Sequence, residues 1–256
     1  MHRQKTIGTF FELGGRAAME CLTRAGLDYV VIDTEHNCFS AEQVAHYIQA
    51  AENGGLIPYV RIGDTRRPYV LQMLDIGARG LIVPDITSVQ EVEEVISSAK
   101  FPPIGKRGYA PNRTSGWGAD EWARDIGAYM HECNRRCKLI PQCETREALE
   151  RIEEIAALPG VDGIFVGPCD LSIALDIPMQ FDSPVLTAAI ERILRACKSN
   201  GKESIIFSMD TGGAKAWLDK GFDSVTCSMD TLIFIEAYQN LTAACRGAVQ
   251  GGPRKF

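Results

Sequence analysis

The stretch Lys138-Leu-Ile-Pro-Gln-Cys-Glu-Thr-Arg-Glu-Ala-Leu-Glu-Arg-Ile-Glu-Glu-Ile-Ala-Ala-Leu-Pro-Gly-Val-Asp-Gly-Ile-Phe-Val-Gly-Pro-Cys-Asp170 decides the fold. It opens on a short apolar run, Lys138–Gln142. A helix-period segment follows behind Thr145 and stops at Pro159-Gly160. A second apolar run, Gly163–Val166, comes next. Short apolar runs between turn residues suit buried strands, and a longer segment with a period near 3.6 suits a helix. One strand, one return helix and a second strand form a parallel unit.

The unit recurs along the chain. Further strands are predicted at Thr6–Phe11, Tyr29–Asp33, Ile57–Arg61, Gly80–Val83, Ser204–Phe207 and Ser224–Cys227. Helices are predicted at Ala41–Asn53, behind a Ser40/Gln43 capping box, and at Ser88–Ala99, with Glu91 in the corresponding place. Two more are expected at Thr145–Leu158 and Pro184–Asn200. Eight strands each followed by a helix, in about 250 residues, is the arithmetic of a (β/α)8 TIM barrel. A doubly wound open sheet also alternates strand and helix. The eightfold count favours the barrel, as does the lack of a Gly-rich dinucleotide turn after an early strand. No composition break divides the chain, so residues 1–256 are expected to form a single barrel domain. Phe101–Gly118 is the longest irregular stretch, and loops of that length are usually functional or lids.

Composition narrows the function. A net charge of −6 is the wrong sign for a nucleic-acid protein. No apolar run approaches the length of a membrane span, and the N-terminal residues lack a signal-peptide apolar core. The nine cysteines contain no C-x-x-C pair and suit the reduced thiols of a cytoplasmic protein. In the cluster His131-x-Cys133-x-x-x-Cys137 the two thiols share a helix face, but a zinc site would need more ligands.

In a barrel, functional groups project from the strand C-termini. These ends carry Asp33-Thr-Glu35-His36, Arg61, Pro84-Asp85, Gln142-Cys-Glu144, Gly167-Pro-Cys-Asp170, Ser208-Met-Asp210 and Ser228-Met-Asp230. The starts carry Lys138 and Lys202. Glu144 and Asp170, on neighbouring strand ends, would suit a divalent ion bound by oxygen. They would equally suit helix capping, and a glycosidase also uses two carboxylates. His36 follows a strand, with Asp33 placed to orient its imidazole as a general base. Arg61 offers a planar fork to a carboxylate, or a salt bridge to Asp33, Glu35 or Asp85. The turn at Gly167-Pro168-Cys169 presents backbone N–H groups to an anion. Cys169 has no evident partner as a nucleophile.

Taken together, these residues resemble the HpcH/HpaI aldolase and citrate lyase family of metal-dependent pyruvate aldolases. The resemblance rests on Ala25-Gly-Leu-Asp-Tyr-Val-Val-Ile-Asp-Thr-Glu-His36, Val60-Arg61 and Leu74-Asp-Ile-Gly-Ala-Arg-Gly-Leu-Ile-Val-Pro84. It continues through Pro103-Ile-Gly-Lys-Arg-Gly-Tyr-Ala-Pro-Asn-Arg113, Gln142-Cys-Glu144 and Gly160–Ser172, and runs from about Gly8 to about Leu232. It implies a barrel of the phosphoenolpyruvate/pyruvate type. Glu144 and Asp170 would hold Mg²⁺, Mn²⁺ or Co²⁺. Arg61 would steady pyruvate oxygens, His36 with Asp33 would act on the substrate hydroxyl, and Gln142 would line the metal site. The backbone around Gly167, Pro168 and Cys169 would hold the pyruvate carboxylate. Arg107 matches a loop position of the family, and Arg113 matches in one subgroup.

The implied reaction is reversible cleavage of a 4-hydroxy-2-oxo acid into pyruvate and an aldehyde. The metal would act as Lewis acid where a Schiff-base enzyme needs a lysine. The implied assembly is a homohexamer, a trimer of dimers, with the Asp230–Ala244 helix packed on a neighbouring subunit. Several residues depart from the family: Phe10, Asp85, Cys169, the seventh strand Lys202–Phe207 and Ser228. All fall near the expected mouth, so they bear on the aldehyde partner. Two alternatives stand beside the aldolase. One is a CoA-thioester lyase, whose only basic feature would be the Arg107/Arg113 loop. The other is a non-catalytic small-acid binding protein.

Overall fold

A computed structural model of the chain describes residues 4–247. Eight parallel strands close into a barrel in sequence order. They are β1 (Thr6–Phe11), β2 (Tyr29–Asp33), β3 (Ile57–Arg61), β4 (Gly80–Val83), β5 (Lys138–Cys143), β6 (Gly163–Val166), β7 (Glu203–Ser208) and β8 (Ser224–Met229). The helices are α1 (Arg16–Leu22), α2 (Ala41–Asn53), α3 (Arg67–Asp75), α4 (Val89–Ala99), α5 (Ile126–Arg136), α6 (Arg146–Glu150), α7 (Ile152–Ala157), α8 (Pro168–Ala174), α9 (Pro184–Ser199), α10 (Thr211–Lys220) and α11 (Asp230–Arg246). The (β/α)8 barrel expected from the repeat is the observed fold.

Strand residues alternate between two cores. Phe10, Tyr29, Val31, Tyr59, Ile82, Ile140, Phe165, Ile205 and Phe207 fill the barrel interior. Val30, Ile32, Val60, Leu81, Val83, Leu139, Ile164 and Val166 face the helices. Both faces are buried, so β2 reads as one apolar run although its side chains alternate. Helix starts follow local chemistry. Ser40 and Gln43 complete a reciprocal capping box at α2. The Ser88 hydroxyl accepts from the Glu91 N–H, while the Glu91 carboxylate turns to the Thr87 N–H, 2.8 Å away.

Two expectations change. The helix predicted over Thr145–Leu158 is broken at Arg151 into α6 and α7. The Phe101–Gly118 loop is pinned at the strand-start end and is not a lid over the strand ends. Arg107 donates to Asp75 at the end of α3, at 2.7 Å, and stacks 4.8 Å over Phe101. Arg113 pairs with Glu52 near the end of α2, at 2.6 Å. The barrel floor is closed by an ion pair between Lys138 and Glu203 and by Tyr29, whose hydroxyl lies 2.7 Å from Thr226 Oγ1.

Cys133 is buried in α5, and the Cys137 thiol points at the Ala78 carbonyl, 3.6 Å away. No cluster of three His, Cys, Asp or Glu side chains suited to a metal occurs among the described residues. No described helix is long and apolar enough to cross a membrane. Helix α11 leaves Ile233, Phe234, Ile235, Tyr238 and Leu241 about half exposed. Exchange of this helix between subunits is an expectation that the single chain does not display.

Candidate active site

Register and parity build the polar end of the barrel. Asp33 lies directly beside Arg61 in the β2–β3 pairing. Each shares the inward parity of its strand, with Val31 and Tyr59 beneath. Arg61 donates from Nε and Nη2 to the two oxygens of Asp33, both at 2.8 Å. It also lies 3.2 Å from Glu35 and 4.6 Å over the Phe10 ring. Asp33 is fully buried and Arg61 nearly so. Burial alone would lower the Arg61 pKa, but the bonds and charge of Asp33 outweigh it and hold the guanidinium firmly protonated.

Both Asp33 oxygens accept from Arg61, the salt bridge that the sequence left open, and no bond from Asp33 to His36 occurs among the described residues. His36 is exposed, and its Nε2 lies 3.6 Å from Glu35. Glu35, which the sequence offers only as a salt-bridge partner of Arg61, takes that place and follows the inward parity of residue 33. Burial raises its pKa, and its Oε2 has no hydrogen-bond partner.

Further round the barrel, Gln142 and Glu144 follow the inward parity of β5. Glu144 Oε1 accepts the Asp85 backbone N–H at 2.9 Å, and Oε2 accepts from Gln142 Nε2. Asp85 therefore serves the site through its backbone, at φ 51°, while its side chain is exposed. Asp170 sits in the first turn of α8, and Gly167 is that helix's N-cap. A Cβ on Gly167 would lie 2.7 Å from Glu144 Oε2 and 2.9 Å from Gln142 Nε2, so a side chain there would displace the ends of both. Of the turn's backbone, Pro168 has no N–H and the Gly167 N–H points to the Cys143 carbonyl, 3.4 Å away. That leaves Cys169 and Asp170 as amide donors. Burial raises the Cys169 thiol, with Asp170 adding to it, which disfavours a thiolate nucleophile.

Glu144 is pushed up to about 7, chiefly by burial and further by the Asp170 charge. Gln142 Oε1 is buried without a partner. A buried carboxylate raised by its surroundings beside an orphaned amide oxygen fits a hard divalent cation. Asp230, one of the acids at the strand ends, accepts from the backbone N–H groups of Glu12 (2.8 Å) and Leu13 (3.3 Å) and so ties α11 to the loop after β1.

One cavity of about 290 Å³ gathers the expected groups: His36, Arg61, Gln142 and the Gly167–Asp170 turn. Asp33 holds Arg61 from behind, and Glu144 holds Gln142. Arg107 and Arg113 are absent from this cavity; they line a separate one of about 370 Å³ at the strand-start end.

Residues 6–237 match the model of the HpcH/HpaI aldolase/citrate lyase family. The chain belongs to this family. It is 32% identical over 233 residues to the 2-keto-3-deoxy-L-rhamnonate aldolase of Klebsiella pneumoniae, covering 90% of this chain and 85% of that one. Among solved structures it resembles an HpcH/HpaI aldolase/citrate lyase family protein from Burkholderia cenocepacia. That match has a TM-score of 0.87 and 30% identity, covering 95% of both chains. It also resembles the citrate synthase SbnG, with a TM-score of 0.84 and 26% identity over 95% of this chain and 94% of that one. The aldolase class expected from the sequence agrees with the names of its curated relatives.

Proposed function

We propose that this HpcH/HpaI family member is a divalent-metal-dependent aldolase that reversibly cleaves a 4-hydroxy-2-oxo acid into pyruvate and an aldehyde. The observation that carries this reading is that Asp170 and Gln142, the latter bonded to Glu144 and with its amide oxygen unpartnered, line the same cavity as Arg61 and His36. Glu144 and Asp170 would hold Mg²⁺, Mn²⁺ or Co²⁺, with Gln142 beside them. When bound, the ion supplies Lewis-acid polarisation of the keto oxygen and offsets the negative charge that develops as C3–C4 breaks.

The chain's own groups do the rest. Arg61, fixed by Asp33 and Glu35, holds a positive charge against the oxo-acid oxygens. The N–H groups of Cys169 and Asp170 hold the carboxylate. His36 takes the C4 hydroxyl proton at its free edge, and Glu35 steadies the imidazolium that forms. No lysine lines the cavity among the described residues, so a Schiff base has no amine there. The CoA-lyase alternative loses its basic loop, since Arg107 and Arg113 serve the other end of the barrel.

The half-exposed apolar side chains of α11 support a homo-oligomer in which this helix packs on a neighbouring copy, with a hexamer as the expected size. The nine free cysteines fit a cytoplasmic setting.

A retro-aldol screen tests the reading. A panel of 4-hydroxy-2-oxo acids is supplied with each metal, and pyruvate release is coupled to lactate dehydrogenase. Activity that survives both EDTA and Glu144→Gln would overturn the metal mechanism. Pyruvate binding without turnover of any panel member would favour a binding protein.

A further inference from the structure

We propose that the aldehyde half of the substrate is uncharged and apolar, with a small aromatic or branched alkyl side chain. This rests on the aldolase reading above and names the substrate class of that same site.

The cavity has two unlike walls. Its polar wall, from β2, β3, β5 and the α8 turn, is committed to the oxo acid. The rest of the lining is Phe10, Phe165, Phe207, Met179, Met209 and Met229, with the Phe10 ring 4.6 Å from the Arg61 guanidinium. Phe10 meets Phe165 and Phe207 edge to face, at centroid distances of 6.0 and 5.7 Å, and all three rings are buried. Met179 and Met209 stand at the rim, about half exposed. None of these side chains offers a hydrogen-bond donor. A sugar hydroxyl pressed against them would lose water and gain no partner. Methionine adapts its shape, so the wall suits several apolar outlines rather than one.

Charge points the same way. Arg61 is the one fixed cation in the lining of this cavity among the described residues, and it is already held by Asp33 and Glu35. A second cavity carries Glu35, which lies 3.2 Å from Arg61, together with Asp64, Asp85 and Glu91, with Asp64 paired to Arg66. An aldehyde bearing its own carboxylate would meet apolar rings on one side and like charge on the other.

The test uses the full chain with Mn²⁺. Exchange of the pyruvate methyl protons into D₂O, followed by NMR, reports whether the site activates pyruvate at all. The value of kcat/KM for aldol addition is then measured with isobutyraldehyde and benzaldehyde, with glyceraldehyde, and with succinic semialdehyde. The apolar aldehydes are expected to exceed glyceraldehyde by roughly 10- to 100-fold and succinic semialdehyde by at least as much. Phe207→Asn and Met209→Thr should each lower the apolar-to-glyceraldehyde ratio by about tenfold. Because the ratio is taken within one variant, a partly folded preparation does not alter it. Exchange with equal or reversed preference overturns this inference and leaves the aldolase reading standing. Neither exchange nor addition with any aldehyde in the unmodified chain overturns the aldolase reading, and this inference with it.

Discussion

The two ends of the same barrel treat charge differently. At the strand starts, Lys138 and Glu203 face each other as a closed pair, with the Lys138 ammonium 5.7 Å over Tyr59. At the strand ends, Arg61 answers Asp33 and Glu35, while Glu144 and Asp170 form no ion pair among the described residues. A balanced pair closes a floor. An unbalanced one leaves a carboxylate near neutrality and an affinity for an outside cation. Strand ends that read alike as charged termini therefore divide into structure and chemistry by whether the charges cancel.

Several substitutions break or sharpen that contrast. The largest effect is expected for Glu144→Gln, which should lower the retro-aldol kcat/KM by ~10³-fold or more and abolish metal binding by isothermal calorimetry. Arg61→Lys keeps the charge but removes the two-pronged grip on Asp33. It should cost about 10²-fold in kcat/KM, with the fold retained by circular dichroism. A rate within a few-fold of the unmodified chain would make the Arg61–Asp33 pair purely architectural. At the other end, Lys138→Met should destabilise by roughly 1–3 kcal/mol in urea titration, because Glu203 is left without its partner. Its kcat/KM should stay within about threefold, since the floor takes no part in the reaction.

The smallest effect is one of pH. Glu144 titrates near 7 in the folded chain against an ordinary 4.5, so the folded state holds a proton that the unfolded state releases. Its contribution to stability without metal is full below about pH 4.5 and fades as the pH climbs through 7. A cation needs the ionised form, so metal affinity moves the other way. The metal Kd is expected to tighten about tenfold between pH 6 and pH 8. A flat profile would mean that Glu144 does not bind the ion.

Much of this was legible in the sequence. The strands, the Ser40/Gln43 start of α2 and the grouping of His36, Arg61, Gln142 and Asp170 follow from short-range patterns. What escaped depends on barrel closure. No local feature says that Asp33 stands opposite Arg61 rather than beside His36, because that is a matter of strand register. Nor does composition tell which end a long loop joins. Arg107 and Arg113 belong to the floor because Asp75 and Glu52 wait there at helix ends. Asp85 looked like an extra acid, yet its contribution is a backbone N–H.

The clamp on Arg61 has a thermodynamic side. A free arginine at a mouth would have to give up its rotamers each time a ligand arrives. Here two carboxylate bonds and the Phe10 face have already frozen the side chain during folding. Binding of the oxo acid should therefore carry little ordering entropy from this group, and the guanidinium should look the same with and without ligand.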